Sequence, residues 1–259
     1  MKNTALITGA STGIGRELAF IHAERGGDLV IVARSEDKLQ QLKSELESSH
    51  GVQVRVLVCD LTDRDAPAQI FQELREEETD VDILINNAGF GGLGKFYQRE
   101  WADDLAMINL NVVALTELTR LFLPGMVSRG HGRVLNVSST ASLMPGPLQA
   151  VYFATKAFVT SLSNALAEEL RDTGVTVTAL MPGATETEFA RVSGMDKTPL
   201  FQKTASARRV AEDGYNGMLA GKLDVIAGLS LFQRIQLAFV PLLPKRIVLS
   251  ETRKMQETN

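Results

Sequence analysis

The 259-residue chain has one cysteine, Cys59, so no disulfide can close within it, which fits a reducing compartment. Cys59 ends the apolar run that starts at Val54 and reads as a buried strand residue. The three histidines, His22, His50 and His131, lack the spacing of metal ligands, and no metal is expected. A net charge of only −4, with acids and bases interspersed, leaves no basic stripe for nucleic acid. No repeat, low-complexity block or linker divides the chain, so one domain over residues 1–259 is expected. The N-terminus enters an apolar strand at once, leaving no room for a leader peptide, and the expected location is cytoplasmic.

Apolar strand candidates recur at 5–8, 29–33, 52–59, 83–86, 133–138, 175–181 and 224–227. Helical patterns fill 16–24, 36–47, 67–78, 101–126, 152–171 and 207–219. This alternation predicts an α/β fold, a doubly wound parallel sheet of about seven strands with helices on both faces. Ligands bind such sheets at the carboxyl ends of the strands.

Two features carry chemistry. Tyr152 and Lys156, four apart, share one face of a helix, with Ser139 thirteen residues before the tyrosine. An ammonium about 4 Å from a phenolate, at an effective dielectric of ~20, attracts it by about 4 kcal/mol. That is enough to bring a phenol from a pKa of ~10 towards neutrality, where it can exchange a proton with a carbonyl or alcohol. The other feature is Thr8-Gly9-Ala10-Ser11-Thr12-Gly13-Ile14-Gly15, a glycine turn between a strand and a helix. Its backbone can approach a diphosphate closely, and the helix N-terminus adds N–H groups and partial positive charge.

Asn86-Asn87-Ala88-Gly89, Asn111, Ser139, Tyr152, Lys156 and Pro182-Gly183 follow that turn in order. Together these motifs resemble the short-chain dehydrogenase/reductase family, in its branch of roughly 250-residue chains, over residues 2 to about 190. The resemblance implies a Rossmann-type fold, a nicotinamide dinucleotide and a catalytic set of Asn111, Ser139, Tyr152 and Lys156. It implies cofactor contacts from Thr8, Gly9, Ser11, Thr12, Gly13, Ile14 and Gly15, with Asp60 and Leu61 at the adenine. Asn87, Ala88 and Gly89 would line the middle of the cofactor. Pro182, Gly183 and Thr187 would wrap the nicotinamide carboxamide, and Tyr152 and Lys156 its ribose. Asn109 rivals Asn111, Ser138 rivals Ser139, and Asp60 could instead cap a helix, with Thr62 and Asp63 as other candidates for that cap.

The second strand ends Val32-Ala33-Arg34-Ser35, with no carboxylate before Glu36. An NAD enzyme usually carries an acid there for the ribose hydroxyls, whereas a guanidinium suits a 2′-phosphate. NADP(H) is therefore expected over NAD(H), although Thr12 occupies the turn position where other members carry a second base.

Residues expected near the substrate are apolar or glycine: 90–94, 143–147, Phe189 and Met195. A small hydrophobic ketone, aldehyde or secondary alcohol is the expected substrate. Residues from about 188 onward form a variable lid and C-terminal segment. Within it Leu231, Ile235, Ala238 and Leu242 recur at helical spacing, followed by Lys245 and Arg246. Arg234, Pro241 and Pro244 argue against a membrane span. A subunit interface, a pocket wall and a patch lying on a bilayer remain as readings, the first two being favoured. The resemblance also implies a homodimer or homotetramer through the helices near Trp101 and Tyr152. Rival functions are a lipid reductase at a membrane surface and a non-catalytic NADPH-binding regulator.

Overall fold

The computed structural model describes residues 3–196 and 198–257; residues 1–2, 197 and 258–259 of the expected domain lie outside these. The first half comprises β1 (Thr4–Thr8), α1 (Gly13–Glu24), β2 (Asp28–Ala33), α2 (Glu36–His50), β3 (Val54–Val58), α3 (Ala66–Glu76) and β4 (Ile83–Asn86). There follow α4 (Trp101–Ile108), α5 (Leu115–Arg129), β5 (Gly132–Val137), α6 (Ala150–Glu169) and β6 (Val175–Pro182). The chain continues with α7 (Phe189–Val192), α8 (Ala207–Leu219), β7 (Asp224–Ala227), α9 (Leu231–Phe239) and α10 (Lys245–Gln256). All seven strands pair in parallel, in the order β3-β2-β1-β4-β5-β6-β7. This is the doubly wound sheet expected, with its topological switch between β1 and β4.

Strands covered on both faces read as unbroken apolar runs, because odd and even side chains are both buried. Ala5, Ile7 and Ile31 face Leu18, Leu39, Leu42, Val210 and Tyr215 of α1, α2 and α8. Leu6, Val30 and Val32 face the other way, toward Ile70, Leu118 and Phe122 of α3 and α5. Full burial of each such side chain is worth roughly 1.5–3 kcal/mol, so slipping any strand by one residue would misplace a whole row.

Between the β4–β5 pair and the helices runs a buried polar ladder. Asn86 Nδ2 donates to Thr119 Oγ1 (3.0 Å) and to Asn136 Oδ1 (2.9 Å), and Asn136 Nδ2 donates to Ser163 Oγ (2.9 Å). Asn86 is thereby a brace between sheet and helices. The helix expected from 101 to 126 runs to Arg129 and contains a π-helical stretch at Asn109–Ala114. It is long and apolar enough to cross a membrane, yet Leu118, Phe122 and Met126 pack into the core. The wider π turn carries Asn111 inward, where it is fully buried.

Candidate active site

One cavity of about 850 Å³ lies along the carboxyl ends of β1, β2, β4, β5 and β6 and collects nearly all the residues expected there. At its base is the glycine turn. Gly9 and Gly13 have positive φ (64° and 57°), which an L side chain rarely adopts. A Cβ on Gly9 would stand 2.9 Å from Ala88 Cα, and one on Gly13 2.9 Å from Thr187 Cγ2. α1 begins without a side-chain cap from Thr12, so its first N–H groups are free to meet phosphate oxygens. The narrow cradle and uncapped helix end fit a dinucleotide diphosphate.

Thr8 and Asn87, expected as cofactor contacts, tie the cradle together. Asn87 Nδ2 donates to Thr8 O and Gly9 O (2.9 and 3.1 Å), while Thr8 Oγ1 accepts the N–H groups of Asn87 and Ala88 (3.0 Å each). Gly15 likewise lies against Gly9 O and Asn87, inside the fold.

The far end of the cradle is bordered by Arg34, Ser35, Asp60 and Leu61. Arg34 is 73% exposed, with Nη1 3.7 Å from Asp60 Oδ2. Asp60 Oδ1 accepts from Thr62 N and Oγ1 (2.9 and 2.8 Å). It caps no helix, nor do Thr62 and Asp63, because α3 starts only at Ala66, with Asp65 at its N-cap. Lys38 was missed by the sequence reading. It also borders the cavity, and its Nζ donates to Glu188 at the start of α7 at 3.1 Å. The available signal was a second base four residues after Arg34 at the start of α2.

Ser139, Tyr152 and Lys156 meet in the middle of the cavity. Ser138 also borders the cavity, but its Oγ is taken up by Lys156 O (2.9 Å) and Thr160 Oγ1 (2.7 Å), whereas the Ser139 side chain hydrogen-bonds with Tyr152. Lys156 is 5% exposed and its Nζ donates to Val137 O at 2.8 Å. A Cβ on Gly89 would stand 3.0 Å from Asn111 Oδ1 and 3.3 Å from Lys156 Nζ, so asparagine and lysine converge on that glycine. Asn111 also holds the Phe90 backbone, donating to Phe90 O (3.0 Å) and accepting Phe90 N–H (3.2 Å).

The protonation state differs from the expected one. Burial pushes the Tyr152 phenol up to about 12, partly offset by a hydrogen bond with Ser139. Burial also brings the Lys156 ammonium down to about 8. The nitrogen lies over the tyrosine ring, 5.8 Å from its centroid. Desolvation therefore outweighs the ion-pair effect that the i, i+4 spacing implied.

The remaining part of the cavity is mostly apolar, with Gln233, Gln236, Glu251, Thr252 and Gln256 as polar members of its C-terminal lining. Phe90, Met144, Phe189 and Met195 border it as expected. The rest of 90–94 and 143–147 does not; the 92–94 backbone packs on Arg99, which donates to Leu93 O and pairs with Asp104 (2.7 Å). α9 and α10 supply the outer wall through Ile235, Phe239, Ile247 and Val248. The C-terminal stretch thus contributes to the pocket wall, one of the three readings for it. Thr187 Oγ1 accepts Phe189 N–H at 3.3 Å just ahead of α7, and Thr187, Pro182 and Gly183 all border the cavity.

A parallel sheet with this cradle and this Ser, Tyr and Lys arrangement defines a dinucleotide-dependent oxidoreductase of the short-chain type. A family profile described as short chain dehydrogenase matches residues 3–197, and the chain belongs to the short-chain dehydrogenase/reductase family. It is 35% identical over 208 residues to the very-long-chain 3-oxoacyl-CoA reductase of Anas platyrhynchos, covering 77% of this chain and 64% of that one. The chain thus aligns with less than two thirds of that relative's length. A short-chain dehydrogenase from Sphingobium yanoikuyae, solved in complex with NADPH, superposes with a TM-score of 0.84 at 35% identity, covering 99% of both chains. The bulky-bulky ketone specific alcohol dehydrogenase of Comamonas testosteroni superposes with a TM-score of 0.80 at 31% identity, covering 99% of this chain and 97% of that one.

Proposed function

We propose that this protein is an NADP(H)-dependent reductase acting on the carbonyl of an apolar substrate, with Tyr152 as general acid. The observation that carries the reading is that Ser139, Tyr152 and Lys156 border the same cavity as the glycine cradle and Arg34, with an apolar wall beyond them. A nicotinamide dinucleotide, when bound, supplies the hydride. Tyr152, protonated at neutral pH, is ready to donate to a carbonyl oxygen. Ser139 Oγ donates a second hydrogen bond to that oxygen as negative charge develops. Lys156, charged below about 8, faces the phenol that has given up its proton. Asn111, beside Lys156, lies on the proposed path of the replacement proton.

Arg34 supports NADP(H) over NAD(H). Its pairing with Asp60 is exposed and therefore weak, so the guanidinium can turn to a 2′-phosphate, with Lys38 as a second cation nearby. The cavity draws on residues from Gly9 to Gln256, which supports one functional unit with a lid and C-terminal wall from about residue 188. The substrates in the relatives' names, a very-long-chain 3-oxoacyl-CoA and bulky ketones, agree with an apolar wall. Exposed Trp101, Val113 and Phe158 on the α4–α6 helices support a homodimer or homotetramer, which light scattering of the purified protein would test.

Absorbance at 340 nm with NADPH and a panel of long-chain ketones tests the reading. Oxidation of NADPH by the wild type and its loss by roughly 10²-fold or more in Tyr152→Phe is expected. Equal turnover by both proteins would overturn the mechanism.

One observation favours a second reading, a reductase resting on a lipid surface. No residue of α9 is buried, and Leu231, Phe232, Ile235, Phe239 and Leu242 are exposed close to Arg234, Lys245 and Arg246. Co-sedimentation with vesicles tests it.

A further inference from the structure

The buried residues of α10 are Val248, Thr252 and Gln256, whose spacing of four makes one inward face. All three border the cavity. A helix face turned to a mostly apolar cavity calls for apolar side chains, yet two of these three are polar. Thr252 is 2% exposed, and its hydroxyl finds only the Met144 thioether, a weak acceptor, at 3.7 Å. Gln256 is 1% exposed, and its Oε1 has no hydrogen-bond partner among the described residues. The other polar residues of this lining are accounted for. Gln233 closes the capping box of α9 with Ser230, Glu251 pairs with Lys254 (2.7 Å), and Gln236 is exposed. Valine and methionine would fill the places of Thr252 and Gln256 and leave no buried acceptor unpaired.

We propose that Thr252 and Gln256 form a second polar subsite, which holds a hydroxyl that the apolar substrate carries away from its reacting carbonyl. The proposal rests on the reductase reading above for where that carbonyl sits, and it narrows the substrate class to remote hydroxyketones. The chemistry selects a hydroxyl. Gln256 Oε1 needs a donor, and the Thr252 hydroxyl can give its proton to the same oxygen that donates to Gln256. An ether or a second carbonyl has no proton for Oε1, and a carboxylate would meet it with charge. Side chains four apart on a helix stand about 5–6 Å apart at Cβ, a gap that one hydroxyl can bridge. The subsite lies beyond Met144, which packs on the Tyr152–Phe153 cluster and accepts the Thr252 bond. The hydroxyl is therefore separated from the carbonyl by several carbons, enough to pass that methionine.

The test compares 10-hydroxydecan-2-one with undecan-2-one and 10-methoxydecan-2-one, in which methyl or methoxy stands in place of the hydroxyl. With NADPH, Gln256→Met is expected to lower the hydroxyl-to-methyl ratio of kcat/KM by about tenfold or more relative to wild type. The methoxy-to-methyl ratio should stay as it is, and the melting temperature should hold or rise, since an unpaired acceptor has been removed. Thr252→Val should lower the hydroxyl-to-methyl ratio several-fold, and it decides the matter if the methionine variant does not fold. An unchanged ratio, the result if water serves Gln256, overturns the proposal. Equal loss on all three compounds overturns it too, as does a wild type that reduces undecan-2-one but not the hydroxyketone. If wild type reduces none of them, the reductase reading fails and binding decides the proposal separately. Calorimetry with NADP⁺ present should then show 10-hydroxydecan-2-one bound about tenfold more weakly by Gln256→Met than by wild type. Equal binding, or no binding to either protein, overturns it.

Discussion

Lys156 is the residue whose environment has the most direct consequence for rate. Burial lowers its pKa from an ordinary 10.5 to about 8, so the ammonium is present below about 8 and disappears as pH rises through it. The cost to folding has the matching sign. Below about 8 the fold carries a buried charge that the unfolded chain would solvate, and stability is regained as pH rises from about 8 toward 10.5. For carbonyl reduction we expect kcat/KM to be flat from about pH 6 to 7.5 and to fall roughly tenfold per pH unit above about 8. Arginine stays charged throughout this range. Whatever rate Lys156→Arg retains should therefore lack the fall, and a fall at the same pH in both proteins would refute the assignment to Lys156. Arg34 gives a second test at this scale. Replacing a guanidinium by a carboxylate at a 2′-phosphate removes a charge-assisted hydrogen bond worth roughly 1.5–3 kcal/mol and adds repulsion. Arg34→Asp should raise the KM for NADPH by about 10- to 100-fold and hardly change that for NADH. Equal rises for both would remove the case for NADP(H).

At the scale of elements, the ladder of Asn86, Asn136, Ser163 and Thr119 joins β4 and β5 to α5 and α6, the elements that carry Lys156, Tyr152 and the start of the Ser139 loop. Asn136→Ala would leave Asn86 Nδ2 and Ser163 Oγ each short of a buried partner, at about 1–3 kcal/mol apiece. In a chain of this size that corresponds to a melting temperature lower by roughly 5–15 °C, to be read by calorimetry. Unchanged melting would show that water or rearrangement replaces the bonds. The ladder also marks the boundary of what the sequence makes legible. β7 and α8 could be bounded at 224–227 and 207–219 because local apolar periodicity sets them. β3 shrinks from 52–59 to Val54–Val58, the residues in register with β2, while Cys59, half-buried, keeps only its N–H bond to Ala33 O (3.0 Å). The glycine turn and the Tyr152–Lys156 pair were legible because their spacing is itself the chemistry. The pairing of Asn86 with Asn136, the clasp of Thr8 on Asn87 and the reach of Lys38 to Glu188 join residues 50 to 150 positions apart. No local pattern encodes such contacts. The tyrosine's raised pKa was hidden for a related reason, since desolvation is set by everything packed around the ring.

For the whole molecule, the question is why so much apolar surface remains on α9 and α10 when the core is closed. Ile235 and Phe239 border the cavity and are about half exposed, so the inner wall and the outer surface are made by the same residues. Leu231, Phe232 and Leu242 extend this surface, each at least two thirds exposed. An interfacial helix binds by burying such a face among acyl chains, with basic residues near the headgroups adding about 1 kcal/mol each on anionic lipid. Arg234, Lys245 and Arg246 are suitably near in sequence. A lipid-derived ketone could then enter between α9 and α10 without crossing water. We expect wild-type protein to sediment with phosphatidylserine-containing vesicles at low salt and much less with neutral ones, and Phe232→Gln with Leu242→Gln to reduce sedimentation by roughly tenfold. The two glutamines lie outside the cavity lining, so 340 nm turnover of a water-soluble ketone should survive in the same protein. Loss of turnover together with sedimentation would mean that the face supports the fold or a subunit contact. Sedimentation unaffected by the substitutions would place any lipid contact elsewhere on the molecule.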